Sequence, residues 1–414
     1  MLRGLNAPMA VASPERALSL DSMNDNLIDV PALTAAGFEA LKRDDLNTAR
    51  ESFGRAVTAG TADAAAWFGL SLVHRRLGAA SEESAALDEA LKLDAHHLPA
   101  LIAKGDLYAR SRDLRAANSY YGAAIKLAVG MPSLPSQWRN ELQRIETACN
   151  SFARDYEAHL LAALDGESLG DPGTDRFGHA LDLLLGKRQI YFQQPKHFFF
   201  PELPQIQFYD RRIFPWAETL ERHTGSIGEE LRAVVKTGTG IVPYIQREAH
   251  RPVFNTKGLV DNPDWGAFYL VKSGAEVPEN AARCPRTMAA LRAVPTCRIK
   301  GRTPSVLFSF LRPGARIPPH HGFMNTRLIC HLPLIVPPDC ALRVGNETRG
   351  WREGELLVFD DSIEHEAWNL SQELRVVLIF DVWRPELSEK EQALVAAMLQ
   401  SIDSFGGPRR EWTD

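Results

Sequence analysis

Residues 317–325 read Ile-Pro-Pro-His-His-Gly-Phe-Met-Asn, and residues 359–369 read Phe-Asp-Asp-Ser-Ile-Glu-His-Glu-Ala-Trp-Asn. Each stretch places a histidine, His320 or His365, next to a predicted strand. Two imidazoles that meet at the mouth of a β-barrel form a site suited to iron, zinc or copper. From the spacing alone, both a metal site and a chance placement of two of the twelve histidines stay open.

The sequence around these histidines predicts a sheet domain. From residue 305 onward, short runs rich in β-branched and aromatic residues alternate with turn residues such as Gly, Pro and Asp. The predicted strands cover residues 305–311, 326–335, 341–344, 355–359 and 375–382. Several short strands with turn signals between them indicate an antiparallel sandwich or a small barrel.

Closer to the N-terminus, residues 31–130 repeat with a period of 34 residues. Large and small residues recur in the same positions, at Leu33, Trp67 and Leu101, at Phe53, Leu87 and Tyr121, and at Ala56, Ala90 and Ala124. This pattern resembles the tetratricopeptide repeat (TPR), a helical hairpin that buries its apolar face only by stacking on its neighbours. The alternative is a generic helical bundle. A stacked array forms a concave surface for a peptide or protein, or serves as a spacer.

Length and composition define the class of protein. A chain of 414 residues with 45% hydrophobic and 24% charged residues indicates a soluble globular protein of two or three domains. The net charge of −5 argues against nucleic acid as a partner. Five cysteines without Cys-x-x-Cys spacing indicate a reducing compartment. Since no run of 18 apolar residues occurs, we expect no transmembrane segment and a cytoplasmic location.

We therefore expect a multidomain α + β chain. The predicted order is a disordered tail (1–30), three TPR repeats (31–130), a helical connector (131–190) broken by the Gly-, Asp- and Pro-rich stretch 166–174, the sheet domain (191–390), and a C-terminal helix and tail (391–414).

Six stretches of the sheet domain carry a family resemblance. They are Phe198-Phe-Phe-Pro-Glu-Leu-Pro, Pro319-His-His-Gly with Asn325, Arg327-Leu-Ile-Cys-His-Leu, Arg343-Val-Gly-Asn-Glu-Thr, Phe359-Asp-Asp-Ser-Ile-Glu-His-Glu-Ala-Trp and Asp381-Val-Trp-Arg-Pro-Glu-Leu. In this order they resemble the aspartyl/asparaginyl β-hydroxylase family of 2-oxoglutarate-dependent oxygenases. The resemblance implies a double-stranded β-helix, a jelly-roll barrel, that uses iron(II) and the cosubstrate 2-oxoglutarate to hydroxylate an unactivated C–H bond.

By this resemblance His320 and His365 are the metal ligands. His321 occupies a position that the family leaves variable, and we expect it to face solvent or support the site, with a ligand role as the alternative. The wider superfamily has a carboxylate two residues after the first histidine. Here that position is Gly322, as in the aspartyl hydroxylase branch. Asp360 and Asp361 have turn composition, and we interpret them as supporting or turn residues. Glu364 and Glu366 are expected to be solvated or structural, and Trp368 and Trp383 to be core or pocket wall.

The cosubstrate carboxylates need cations and hydrogen-bond donors. Arg375 opens an apolar strand, and the resemblance gives it the distal carboxylate with Ser309 as helper; a structural ion pair is the alternative. His331 matches a contact to the near carboxylate, but Ile329 stands where the family has arginine. Since strand residues alternate between faces, Arg327 shares their face. It either replaces the missing arginine or points at substrate or a neighbouring acid.

The leading hypothesis is hydroxylation of an Asp or Asn side chain in a peptide or protein that the repeats deliver. The same chemistry on a lipid or small molecule is a second reading. A third is a catalytically silent scaffold of repeats and barrel, which the replacement at Ile329 keeps open.

Overall fold

The computed structural model describes residues 29–59, 62–131, 136–165, 175–247 and 258–405. The chain divides into two compact units, with the boundary after Asp175. The predicted tail at 1–30, apart from its last two residues, lies outside the described residues. So do the predicted break at 166–174 and the final residues 406–414.

The N-terminal unit consists of paired helices, as the repeat predicts. They are α1 (Val30–Lys42), α2 (Leu46–Thr58), α3 (Ala64–Arg76), α4 (Ala80–Leu93), α5 (Leu98–Arg110), α6 (Leu114–Val129) and α7 (Ser136–Leu164). The first helices of the three hairpins begin at residues 30, 64 and 98, and the second helices at 46, 80 and 114. Both series are spaced by 34 residues, so each sequence repeat corresponds to one helical hairpin.

Small residues allow the helices of this unit to cross closely. A Cβ atom on Gly69 would lie 2.1 Å from the ring of Phe53, and one on Gly105 would lie 2.5 Å from the ring of Tyr121. Phe53, Tyr121 and the equivalent Leu87 are buried. The large residues that recur in the sequence are therefore the ones that fill the space between helices.

Helix termini in this unit repeat as well. Asp29 and Asp63 accept hydrogen bonds from the backbone N–H three residues later, and so do Asp45 and Asp113 at the second helices of repeats one and three. Ala79 occupies the same position before α4, where no side chain caps the helix. The second repeat thus lacks one of the caps that its neighbours have.

The C-terminal unit combines helices with two antiparallel sheets. Its helices are α8 (Asp175–Leu184), α9 (Ala217–Glu221), α10 (Thr224–Thr237), α11 (Pro278–Ala281), α12 (Pro285–Leu291) and α13 (Glu389–Ser404). Its strands are β1 (Phe208–Tyr209), β2 (Val242–Pro243), β3 (Trp265–Lys272), β4 (Ala275–Glu276), β5 (Val306–Leu311), β6 (Arg316–His320), β7 (Arg327–Ile335), β8 (Cys340–Val344), β9 (Glu347–Gly350), β10 (Leu357–Phe359), β11 (His365–Asn369) and β12 (Arg375–Trp383).

The larger sheet has the order β1-β10-β7-β12-β5-β3-β2, with β4 paired to β3, and the smaller sheet has the order β6-β11-β8-β9. From β5 to β12 the chain passes back and forth between the two sheets. Apolar side chains from both sheets pack in one cluster, which includes Leu311, Leu342 and Val377. The opposite face of the larger sheet packs against α9, α10 and α12.

Alternation along the strands determines which side chains reach the site. On β12, Val376, Leu378 and Phe380 belong to the cluster that packs on the helices, whereas Val377 faces the smaller sheet. Arg375 is in phase with Val377, two residues away, so its side chain also points between the sheets.

Four strand predictions are confirmed to within one residue, as β5, β7, β8 and β12, while the strand predicted at 355–359 is shorter. The expectation that both histidines lie beside strands is wrong, because His320 ends β6 and His365 begins β11. Pro318 and Pro319 obscure the β6 pattern, since proline is uncommon within strands.

α13 follows the last strand and begins with a capping box formed by Ser388 and Glu391. Its buried residues Val395 and Leu399 pack against Cys297 and Met324. Within the described part of the chain, none of the helices is both long and apolar enough to cross a bilayer.

Candidate functional site

The smaller sheet brings His320 and His365 together. The two residues are direct partners in the antiparallel pairing of β6 with β11, and their ring centroids are 4.1 Å apart. Residues 45 positions apart in sequence therefore form a histidine pair at one end of the sheet.

Backbone carbonyls fix the tautomer of both rings. Nδ1 of His320 lies 2.8 Å from the Pro318 carbonyl oxygen, and Nδ1 of His365 lies 3.0 Å from that of Ile363. Since a carbonyl oxygen only accepts, each Nδ1 carries a proton, and in the neutral form of either ring Nε2 carries the lone pair. Burial, and next the neighbouring His320, hold the pKa of His365 well below its usual value, so this ring is neutral at pH 7. Neutral imidazoles of fixed tautomer are good ligands for a metal ion.

The space beside Gly322 is filled by the carboxylate of Asp361. A Cβ atom on Gly322 would lie 2.0 Å from Oδ2 of Asp361, and the Gly322 N–H donates to the Asp361 carbonyl oxygen at 2.6 Å. Asp361 also contacts Arg327, with 3.3 Å between Nη2 and Oδ2. A carboxylate therefore lies beside the histidine loop after all, but it comes from the loop between β10 and β11.

Arg375 is 1% exposed. Within the described residues no carboxylate pairs with its guanidinium, and Nε has no hydrogen-bond partner. Its one hydrogen bond there is long, 3.5 Å from Nη1 to the Ser309 carbonyl oxygen. Burial lowers the pKa of Arg375 to about 10, which leaves it charged at neutral pH. Ser309 pairs with Val377 across β5 and β12, and its hydroxyl accepts a hydrogen bond from Trp265.

On β7, the side chains of Arg327, Ile329 and His331 line the same cavity. His331 is buried, and its Nδ1 has no hydrogen-bond partner in the described part of the chain. Burial, with a smaller contribution from Arg375, lowers the pKa of His331 to about 3, so the ring is neutral. Arg327 contacts two acids, Asp361 and Asp381, each at 3.3 Å. This contact corresponds to the alternative in which Arg327 points at neighbouring acids.

The residues predicted to bind the metal and the cosubstrate line one cavity of about 810 Å³. His320, His365, Arg375, Ser309, His331 and Arg327 are among its lining residues. Its lining also includes apolar residues such as Ile245, Leu259 and Met324 and the cations Lys196, Arg247 and Lys272. The sequence-predicted site residues are thus brought together, in a space large enough for a cosubstrate and part of a second molecule.

A segment before β1 joins the two histidine loops. The Lys196 N–H donates to the Gly322 carbonyl oxygen, and the Gln194 N–H donates to that of Ser362. The His197 ring stacks on Phe323 with 4.9 Å between centroids. Lys196 and His197 both line the cavity. The stretch that carries the family resemblance begins at Phe198, directly after these residues, and none of their side chains was predicted to belong to the site.

A buried polar network holds this segment and the 360–364 loop. Arg384, which is fully buried, donates to Asp360 at 2.7 Å and to the Pro204 carbonyl oxygen. Gln193 donates to the same Asp360 oxygen, and the Ser362 N–H donates to its other oxygen. Burial raises the pKa of Asp360, and Arg384 opposes that shift. Asp360 is thus a turn residue with a structural ion pair, in agreement with its turn composition.

The remaining candidates have structural contacts. Glu364 and Glu366 both accept hydrogen bonds from Arg343. Trp383 packs with the cluster around α13, and the ring of Trp368 lies 5.8 Å from the guanidinium carbon of Arg316.

Comparison with known proteins supports a hydroxylase domain. Residues 221–385 match the family described as aspartyl/asparaginyl beta-hydroxylase. The ornithine lipid ester-linked acyl 2-hydroxylase of Rhizobium tropici is 36% identical over 185 residues, which are 43% of this chain and 60% of that protein. Human aspartyl/asparaginyl beta-hydroxylase is 31% identical over 261 residues, 56% of this chain and 32% of that protein.

Human aspartate beta-hydroxylase domain-containing protein 2 is 33% identical over 223 residues, 53% of this chain and 56% of its own. The chain thus spans between 32% and 60% of the length of these three relatives. The family resemblance seen in the sequence is confirmed for the C-terminal unit.

Among solved structures, similar chains are TPR domains. The first TPR domain of human RPAP3 aligns with 17% identity and a TM-score of 0.26, covering 30% of this chain and 93% of that one. The TPR2B domain of yeast Sti1, in a complex with pHsp70, aligns with 14% identity and a TM-score of 0.27, covering 30% of this chain and 97% of that one.

Proposed function

We propose, from a C-terminal unit that matches the aspartyl/asparaginyl β-hydroxylase family, that this protein is an iron(II)- and 2-oxoglutarate-dependent dioxygenase. Its substrate is an Asp or Asn side chain of a peptide or protein. One observation carries the proposal. A histidine pair and a buried arginine without a carboxylate partner among the described residues line the same cavity.

The sheet arrangement supports a double-stranded β-helix as the fold of this unit. From β5 to β12 the strands alternate between the sheets except at the β8–β9 hairpin, with β5, β7, β10 and β12 in the larger sheet and β6, β8, β9 and β11 in the smaller one. Such alternation is expected when an eight-stranded jelly roll winds two sheets face to face.

The donor set fits a metal such as iron(II). His320 and His365 would hold the ion through Nε2, because Nδ1 of each ring donates to a backbone carbonyl. Two protein ligands leave positions for a chelating cosubstrate and oxygen. Asp361 lies beside Gly322, the position at which the wider superfamily has a ligand carboxylate, and it contacts Arg327. Iron(II) with 2-oxoglutarate and dioxygen would supply the oxidation, with succinate and carbon dioxide as coproducts.

The buried polar atoms fit the two carboxylates of 2-oxoglutarate. Arg375 has an unpartnered Nε and no carboxylate neighbour in the described chain, so it would receive the distal carboxylate, with Ser309 beside it. His331 would contact the near end. A buried guanidinium without an anion is costly, and a carboxylate ligand removes that cost.

The charges on the cavity wall support an acidic side chain as substrate. Lys196, Arg247 and Lys272 line the cavity, and Arg247 also pairs with Asp261. The carboxylates on the wall within the described residues, Asp361 and Asp381, both contact Arg327. Cations therefore outnumber carboxylates among the described lining residues, which favours aspartate over asparagine. The TPR unit would bind the polypeptide that carries the target side chain.

A second candidate is hydroxylation of an acyl chain. It is favoured by the 36% identity to the Rhizobium tropici acyl 2-hydroxylase and by the apolar lining residues Ile245, Leu259 and Met324. The chemistry at the histidine pair would be the same.

An anaerobic titration tests the proposal. Adding iron(II) and 2-oxoglutarate to metal-free protein should produce a visible charge-transfer band. In His320→Ala and Arg375→Met the band should be absent, or the affinity read from the titration should fall by about tenfold or more. Each variant loses a coordinating or charged contact. His321→Ala and Arg316→Met are matched controls and should retain the band.

A band that survives in both site variants would place the cosubstrate elsewhere. No band in the wild-type protein would favour the catalytically silent scaffold. Once a band is seen, succinate release in the presence of Asp-containing peptides, Asn-containing peptides or ornithine lipids separates the substrate classes.

A further inference from the structure

Trp351 is buried directly after β9, in the smaller sheet, and its ring faces Arg375 of the larger sheet. The guanidinium carbon of Arg375 lies 4.9 Å from the centroid of the Trp351 ring. Trp351 is 6% exposed and packs in the cluster between the sheets. The indole therefore touches a residue proposed to bind cosubstrate without itself lining the cavity.

The indole face is the main favourable neighbour of this buried cation. The other described contact of the guanidinium is the 3.5 Å hydrogen bond to the Ser309 carbonyl oxygen. A desolvated guanidinium is attracted to the electron-rich face of tryptophan more strongly than to that of other aromatic residues. A guanidinium held over the ring face has less freedom to rotate, so the contact also restricts the direction of its N–H groups.

The same indole contacts a second candidate residue. Its ring centroid lies 6.1 Å from that of His331. Within the described part of the chain, Nε1 of Trp351, Nδ1 of His331 and Nε of Arg375 are all buried without a hydrogen-bond partner. Buried indole N–H groups usually have a hydrogen-bond partner. Trp351 therefore interacts with its polar neighbours through the face of its ring and not through its N–H group.

We propose that Trp351 is a positioning residue for the cosubstrate, whose indole face orients the Arg375 guanidinium toward the distal carboxylate of 2-oxoglutarate. This inference rests on the proposed function. It predicts that Trp351 affects cosubstrate affinity through Arg375 and has little effect on the chemical step.

Calorimetric titration of 2-oxoglutarate into the full-length, zinc(II)-loaded protein tests this, since zinc has no redox chemistry and permits binding without turnover. Trp351→Leu should weaken binding about tenfold, and Trp351→Phe about threefold because a weaker ring face remains. Trp368→Leu, which removes the equivalent contact with surface residue Arg316, should leave the affinity unchanged. With iron, the KM for 2-oxoglutarate should rise in Trp351→Leu at nearly constant kcat.

In an Arg375→Met background, Trp351→Leu should have no further effect on affinity. Wild-type protein that does not bind 2-oxoglutarate overturns the proposed function and this inference with it. If the wild type binds 2-oxoglutarate and Trp351→Leu binds it with an affinity within twofold of the wild type, the inference about Trp351 is overturned and the proposed function is not. If Trp351→Leu does not fold, the free energies of unfolding of Trp351→Phe, Arg375→Met and the double variant are measured instead. If the two substitutions change the free energy of unfolding additively, the side chains do not interact and the inference is overturned.

Discussion

At the scale of single residues, Gly322 and Asp361 share one space beside the histidine pair. The carboxylate of Asp361 occupies the space that a side chain at residue 322 would need. The two positions are 39 residues apart in the sequence. Gly322 could be read from the sequence, but its contact with Asp361, which leaves no room for a side chain, could not. Arg375, by contrast, could be found from sequence, because a charged residue that opens an apolar strand needs a partner.

We predict that Gly322→Asp alone destabilises the protein by about 1–3 kcal/mol, as overpacking does, and weakens iron(II) binding because the His320 loop must move. In the double variant Gly322→Asp with Asp361→Gly, much of this loss should be recovered. Urea unfolding and the charge-transfer titration measure both effects, with Asp361→Gly as the control. Additive losses would show that the two side chains do not compete for the same space.

At the scale of elements, strands were predictable where they are regular. β5, β7, β8 and β12 have β-branched and apolar patterns that identify them, whereas β6 contains Pro318 and Pro319. β11 is a short His-Glu-Ala-Trp-Asn run without β-branched residues, and it forms because β6 and β8 pair with it on either side. β6 and β11 form because neighbouring strands pair with them and not because of their own residue pattern. The sequence therefore did not predict the two strands that carry the histidines.

The helices of the repeats followed from the 34-residue period, and the missing cap before α4 gives a test. Ala79 has φ −86° and ψ 76°, close to the −84° and 76° of Asp113. We predict that Ala79→Asp stabilises the N-terminal unit by about 1 kcal/mol, because the carboxylate can accept from a free N–H of the first turn.

Thermal or urea unfolding measures this gain. Asp45→Ala and Asp113→Ala, at the equivalent positions, should each cost a similar amount. No change in Ala79→Asp would mean that the backbone before α4 differs from that of the neighbouring repeats.

At the scale of the whole molecule, each hydrophobic cluster of the described residues lies within one of the two units. Those around Phe53, Leu87 and Ile145 belong to the N-terminal unit, and those around Phe308, Leu342 and Leu399 to the C-terminal unit. Each unit therefore has its own source of stability.

We predict two separable transitions in urea unfolding. Zinc(II) with 2-oxoglutarate at about 100 times the dissociation constant should stabilise the C-terminal unit by about 2.7 kcal/mol and leave the other transition in place. Ala79→Asp should shift the other transition only. Circular dichroism follows the helices, and fluorescence provides a second probe. A single transition that responds to both changes would show that the units unfold together.

The relation between Gly322 and Asp361 also constrains how this protein could have evolved and could still change. A side chain acquired at position 322 while Asp361 is present would meet the Asp361 carboxylate, and loss of Asp361 first would remove a partner of Arg327. Each single substitution disturbs an existing contact, so a carboxylate can enter at position 322 at low cost only together with a change at position 361.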